Sequence, residues 1–127
     1  MIETVYTHNA PEPIGPYAQA VKAGGFVYPA GQVGADPLSG KLVGETIEEQ
    51  TKQAMDNLSA VLEEAGSSLT NVVKTTCYLS TMDNFQAFNE AYGKQFSGHE
   101  PARTCFAVQE LPLKALCEIE VVAVLNQ

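Results

Sequence analysis

The chain of 127 residues contains one arginine, Arg103, in the stretch EPARTCFAV; the other six basic side chains are all lysines. A guanidinium is a planar fork that grips a carboxylate through two charge-assisted hydrogen bonds, which an ammonium does less well. Further along, CEIEVVAV brings two carboxylates, Glu118 and Glu120. A carboxylate beside a bound electrophile can position a water or take its proton. Alternation groups these side chains. In a strand over 102–108, Arg103, Cys105 and Ala107 share one face, and Thr104, Phe106 and Val108 the other. In a strand over 117–125, Glu118 and Glu120 share a face with Val122 and Val124. If the two strands lie close in one sheet, Arg103 and a carboxylate face a common space. Spacing alone leaves the plainer outcome open, an Arg–Glu ion pair rimming the sheet.

The remaining candidates are weaker. Cys105, two residues from Arg103, has the setting of a lowered-pKa thiol, but no histidine is near in sequence and a packed strand thiol is the simpler reading. Tyr17 follows Gly15-Pro16, so a turn delivers its ring either to a cleft or to the core. Gly31, inside Ala30-Gly31-Gln32, marks a bulge or a close approach of backbone to a ligand. Asn89 falls on a helix, where a polar side chain by default faces solvent. His8 and His99 belong to no H-x-E or H-E-x-x-H pattern, which speaks against a zinc deaminase or metallohydrolase. Cys77, Cys105 and Cys117 have neither the spacing of a disulfide framework nor that of a C-x-x-C site and read as reduced thiols.

The elements that must carry these residues are legible in outline. Residues 2–7 form a short strand. Residues 17–23 and 26–32 form a hairpin closed by Gly24-Gly25, which supplies the positive φ angles of a tight turn. Residues 34–45 are a Gly/Pro/Asp/Ser-rich loop. Thr46 and Glu49 make a capping box that opens a helix running to Gly66, with Ile47, Ala54, Leu58, Val61, Leu62 and Ala65 at helical spacing. Residues 71–79 are a strand, alternating Val73, Thr75, Cys77 and Leu79 against Lys74, Thr76 and Tyr78. Asp83 is the expected cap of a second helix carrying Phe85, Phe88, Tyr92 and Phe96. The order predicts one α+β domain over 1–127, with both helices on one face of a mixed sheet. The other face, if apolar, must meet something else, and a symmetric oligomer is the simplest partner.

Composition narrows the class. A formal charge of −8 disfavours a nucleic-acid surface, which needs clustered Lys and Arg, and it makes any anionic ligand depend on a local cation. No apolar run approaches the ~20 residues of a membrane helix, and the first residues lack the pattern of a signal peptide. A soluble cytoplasmic protein is expected.

Taken together, APEPIGPYAQAV at 10–21, AGQV at 30–33, VVKTTCYLSTMDNFQAFNEAY at 72–92, PARTCFAV at 101–108 and CEIEVVAV at 117–124 resemble the RidA/YjgF family of reactive-intermediate deaminases. The resemblance runs end to end. It implies a chorismate-mutase-like fold assembled as a homotrimer, with helices outside, sheets packed into a central barrel, and sites in clefts between subunits. It implies hydrolysis of 2-imino acids such as iminopropanoate and iminobutanoate to 2-keto acids and ammonia, without metal or cofactor. By the same resemblance Arg103 clamps the substrate carboxylate and Glu118 orients the attacking water. Cys105 offers its backbone, Tyr17 a ring lining the cleft, Gly31 a backbone contact and Asn89 a polar group at the rim. Many relatives have serine where this chain has Ala30, which bears on substrate preference and rate. Two other functions stand beside this one: a ribonuclease or translation inhibitor, and a metabolite-binding trimer without turnover.

Overall fold

Thr46 and Glu49 close the expected capping box in both directions: the Glu49 N–H donates to the Thr46 hydroxyl at 3.1 Å, and the Glu49 carboxylate accepts from the Thr46 N–H. In this computed structural model, which describes residues 1–127, the helix so opened (α1, Ile47–Ala65) ends on Gly66 in the left-handed region at φ 88°. Its apolar stripe is buried, joined by Met55. Gln50 and Asn57 lie on the same buried side for a different reason. Gln50 donates to the Gly44 carbonyl and accepts from the Leu116 N–H, while Asn57 donates to the carbonyls of Val33 and Ala35. The helix thus ties down the loops on either side of it, and no buried amide is left without a partner at these positions.

Seven strands form one open mixed sheet: β1 (Glu3–Val5), β2 (Ala20–Ala23), β3 (Phe26–Pro29), β4 (Gln32–Val33), β5 (Val72–Leu79), β6 (Ala102–Ala107) and β7 (Cys117–Val124). Their order is β1-β2-β3-β7-β5-β6, with β4 also on β7. Only β5 and β6 are parallel, linked by a crossover through the second helix, α2 (Phe85–Gly93). Both helices pack on one face over Val27, Leu79, Ile119 and Ala123. Neither is long and apolar enough to cross a membrane.

Several expected boundaries move, each for a local reason. The first strand is shorter than 2–7. The first hairpin arm begins at Ala20, because residues 17–19 belong to a loop held by Gln19. The second arm breaks at Ala30-Gly31. From Val27 to Gln32 is five steps along the chain, whereas their β7 partners, Ala123 and Ile119, are four apart. One extra residue is therefore accommodated as a bulge, as the glycine suggested. A second bulge between Val72 and Lys74 turns Val73 outward, to 44% exposure, and buries Val72 in its place. Asp83 does not cap the second helix. The Thr81 hydroxyl accepts the Asp83 N–H and starts a 3-10 turn, Met82–Asn84, that leads into α2; Phe96 lies beyond the helix end.

Candidate functional site

β7 places Glu118 and Glu120 on the face away from the helices, opposite Tyr78 and Thr76 of β5. Here the bulge matters. A Cβ on Gly31 would sit 2.3 Å from Glu118 Oε2, so only a glycine leaves room for the carboxylate where it stands. Around it opens a cavity of about 590 Å³ lined also by Tyr17, Ala30 and the 37–40 and 112–113 turns. Tyr17 is set by its loop: its hydroxyl accepts the Ile14 N–H at 3.3 Å. The loop in turn hangs on the buried Gln19 amide, which accepts the Thr7 N–H at 2.7 Å and donates to the Thr7 and Pro11 carbonyls at 3.0 Å each. Burial lifts the Glu118 carboxyl above its ordinary range, and the nearby charge of Glu120 pushes the same way. Glu120 accepts a hydrogen bond from the Tyr78 phenol, which that bond pushes up to about 12.

Arg103 sits elsewhere. β6 pairs it with Thr75, on the face covered by helices, and its guanidinium lies 5.0 Å from the centre of the Tyr92 ring and 5.6 Å from that of Phe85. Two aromatic faces hold the cation in place. The chain's one ion pair joins Lys52 to Asp56, so Arg103 has no carboxylate partner. A second cavity, of about 640 Å³, is lined by Arg103, Tyr92, His99 and Asn89. The Asn89 carbonyl oxygen is buried without a hydrogen-bond partner. Asn89 thus lines this cavity with Arg103, its carbonyl oxygen shielded instead of facing solvent.

The expectation that Arg103 and a glutamate face one space is wrong within a single chain. Thr75 pairs with Arg103 while Tyr78 pairs with Glu118. Residues 75 and 78 are an odd number of steps apart, so the two side chains emerge on opposite faces. No residue lines both cavities. The Arg–Glu ion pair is absent for the same reason.

The three thiols are not activated. Cys105 is half-buried beside Cys77, and burial raises its thiol despite the opposing charge of Arg103. Burial also pushes Cys77 up to about 12 and Cys117 to about 11. A thiol so protonated is a poor nucleophile. His99 binds the Val72 carbonyl at 2.6 Å, and no three His, Cys, Asp or Glu side chains converge as a metal would require. Sequence reasoning missed Gln19 and the Pro112-Leu113 turn. Gln19 had no periodic signal, and the turn was marked only by its proline.

The chain matches the family model described as Endoribonuclease L-PSP over residues 7–125. This is a member of the L-PSP/Rid family. A RutC family protein of Pyrococcus horikoshii is 47% identical over 123 residues, covering 97% of this chain and 98% of the relative. Reactive Intermediate Deaminase A, chloroplastic, of Arabidopsis thaliana is 42% identical over 97% of this chain and 66% of its own length. Among solved structures, E. coli TdcF with bound serine superposes with a TM-score of 0.92 at 31% identity, covering 98% of this chain and 99% of that one. The L-PSP/Rid fold thus accounts for the single α+β domain, and the family includes reactive intermediate deaminases.

Proposed function

We propose that this protein hydrolyses 2-imino acids to 2-keto acids and ammonia, at sites completed by two subunits of a homotrimer. One observation carries the reading: the free guanidinium and the half-buried carboxylate open into separate cavities on opposite faces of the sheet. Each cavity is half of a site. A neighbour that lays its Arg103 cavity against the Glu118 cavity joins a carboxylate clamp to a water-orienting base. Closed rotational symmetry then gives each subunit one half of two sites. The open face of the sheet, which exposes Tyr28, Val73 and Phe106, supplies apolar surface for such packing.

The chemistry needs little more than placement. Arg103 binds the substrate carboxylate through two parallel hydrogen bonds. Asn89 stands at the rim of the Arg103 cavity, and Tyr17 walls the cleft. Glu118 takes a proton from a water as its oxygen bonds to the electrophilic carbon of the protonated imine, then returns that proton to nitrogen. As the C–N bond breaks and ammonia leaves, the carbinol hydroxyl becomes the keto group by giving its remaining proton to Glu118, which passes it on to solvent. Holding the two reactants in register replaces an activated nucleophile, consistent with the raised thiols. A charge of −8 with one cationic clamp held in a cavity fits a small anion better than a polynucleotide.

Complementation tests this reading. Arg103→Ala and Glu118→Ala proteins are each expected to lose imine hydrolysis, measured as faster keto-acid release from a threonine dehydratase. When the two are unfolded together and reassembled, random mixing restores about a quarter of the sites, because one subunit supplies the arginine and its neighbour the glutamate. Failure of the mixture to regain activity, with the trimer intact, refutes the shared site.

A further inference from the structure

Three loops bring aliphatic side chains to the Glu118 cavity and leave them exposed on the single chain. Leu38 is 95% exposed, Ile14 81% and Leu113 49%, and all three line it. Single exposed leucines need no explanation, but convergence on one cavity does. The loops are also built to hold them there. The Asp36 carboxylate accepts the Leu38 and Ser39 N–H groups at 2.8 and 2.9 Å, and its carbonyl accepts the Gly40 N–H, so Leu38 rides on a closed turn. Leu113 and Lys114 both take positive φ, 60° and 56°, which costs any residue with a Cβ. That twist sends Leu113 to the Glu118 cavity and Lys114 to a separate hollow beside Gly44. Strain of this kind persists where the surrounding structure uses it.

We propose that Leu38, Ile14 and Leu113 form a side-chain subsite, which makes the preferred substrates 2-imino acids with long or branched apolar side chains rather than a single methyl. The inference rests on the deaminase reading above and adds the class of substrate to it. With the carboxylate on Arg103 and the imine carbon facing Glu118, the remaining substituent points at the rest of the wall. Only Glu118 and Glu12 are charged there. A cavity of about 590 Å³ holds a chain much longer than a methyl group. Each added methylene that displaces water against such a wall sharpens selection by about tenfold or more.

The test compares imines made in place from leucine and from alanine by an amino acid oxidase, with semicarbazide trapping whatever imine survives. The native protein is expected to favour the leucine-derived imine by about tenfold or more in kcat/KM, and Leu38→Ser/Leu113→Ser to bring that ratio close to one. The native protein also gives a readout that needs no variant: 4-methyl-2-oxopentanoate should compete about tenfold more tightly than pyruvate. A native ratio near one, or a ratio unmoved by the double substitution, overturns the subsite while leaving the deaminase in place. So does a double variant that loses its assembly and both activities together, which would make the rim a contact between copies. Native protein inactive on both imines overturns the deaminase reading and the subsite with it.

Discussion

Gly31→Ala isolates the placement of the Glu118 carboxylate from the stability of the fold. The Cβ it adds would lie 2.3 Å from Glu118 Oε2, and 3.2 and 3.3 Å from the carbons behind it. Ordinary contact begins near 3.4 Å, so the carboxylate oxygen must retreat by about 1.1 Å, the difference of those two distances. The obstacle is the free end of a side chain, which can rotate. Backbone is not in the way, and Gly31 is not among the glycines with positive φ. The loss of unfolded-state freedom on replacing glycine favours the variant by about 0.4–1 kcal/mol, and an off-rotamer Glu118 costs about as much. Melting should therefore shift by no more than about 4 °C. Activity should not be so forgiving: a misplacement of about 1 Å in a catalytic group can cost about a hundredfold in rate. The assay pairs kcat/KM for imine hydrolysis with a thermal melt. Gly34→Ala is the contrasting control. Its Cβ would meet the Gln50 backbone at 2.5 Å, which cannot step aside, and the fold itself should lose about 1–3 kcal/mol or more. In a Glu118→Gln background, Gly31→Ala should cost nothing further. Native-like turnover in Gly31→Ala refutes the reasoning. An equal loss in both backgrounds does so too, since Gly31 would then act through its own backbone and not through Glu118.

Other outcomes follow from the same geometry. Gln19→Leu strips the partners from the buried N–H and carbonyl of Thr7 and should destabilise by about 2–4 kcal/mol; calorimetry should show a melting point lower by on the order of 10 °C. Glu118 titrates above its ordinary value, so the fold favours its protonated form. Its contribution is full below the usual carboxyl range and is lost as pH rises through the raised value. Glu118→Gln, neutral throughout, should match the native melting point in acid and exceed it increasingly toward neutrality. Because a neighbouring Arg103 would oppose the shift, the comparison belongs in an Arg103→Ala background. A native protein that gains on Glu118→Gln as pH rises would show the carboxyl stabilised, not penalised, by its surroundings.

The sequence by itself determined the elements and most of what each buries. Helical spacing and the Thr46–Glu49 box located α1, because those signals are local and backbone geometry reads them directly. Alternation placed Arg103 with Cys105, and Glu118 with Glu120, correctly within each strand. The end-to-end resemblance named the family, which the family model and relatives then showed. Tertiary structure alone decided which strand faces coincide. That depends on register between segments far apart in sequence, and a single-residue slip reverses a face. Such slips occur at Ala30-Gly31 and at Val72–Lys74, and only the first carried a glycine to announce it. Register put Arg103 among aromatic rings on the helix side and Glu118 on the open side. Two residues that looked like partners in one chain thereby face separate cavities that share no lining residue.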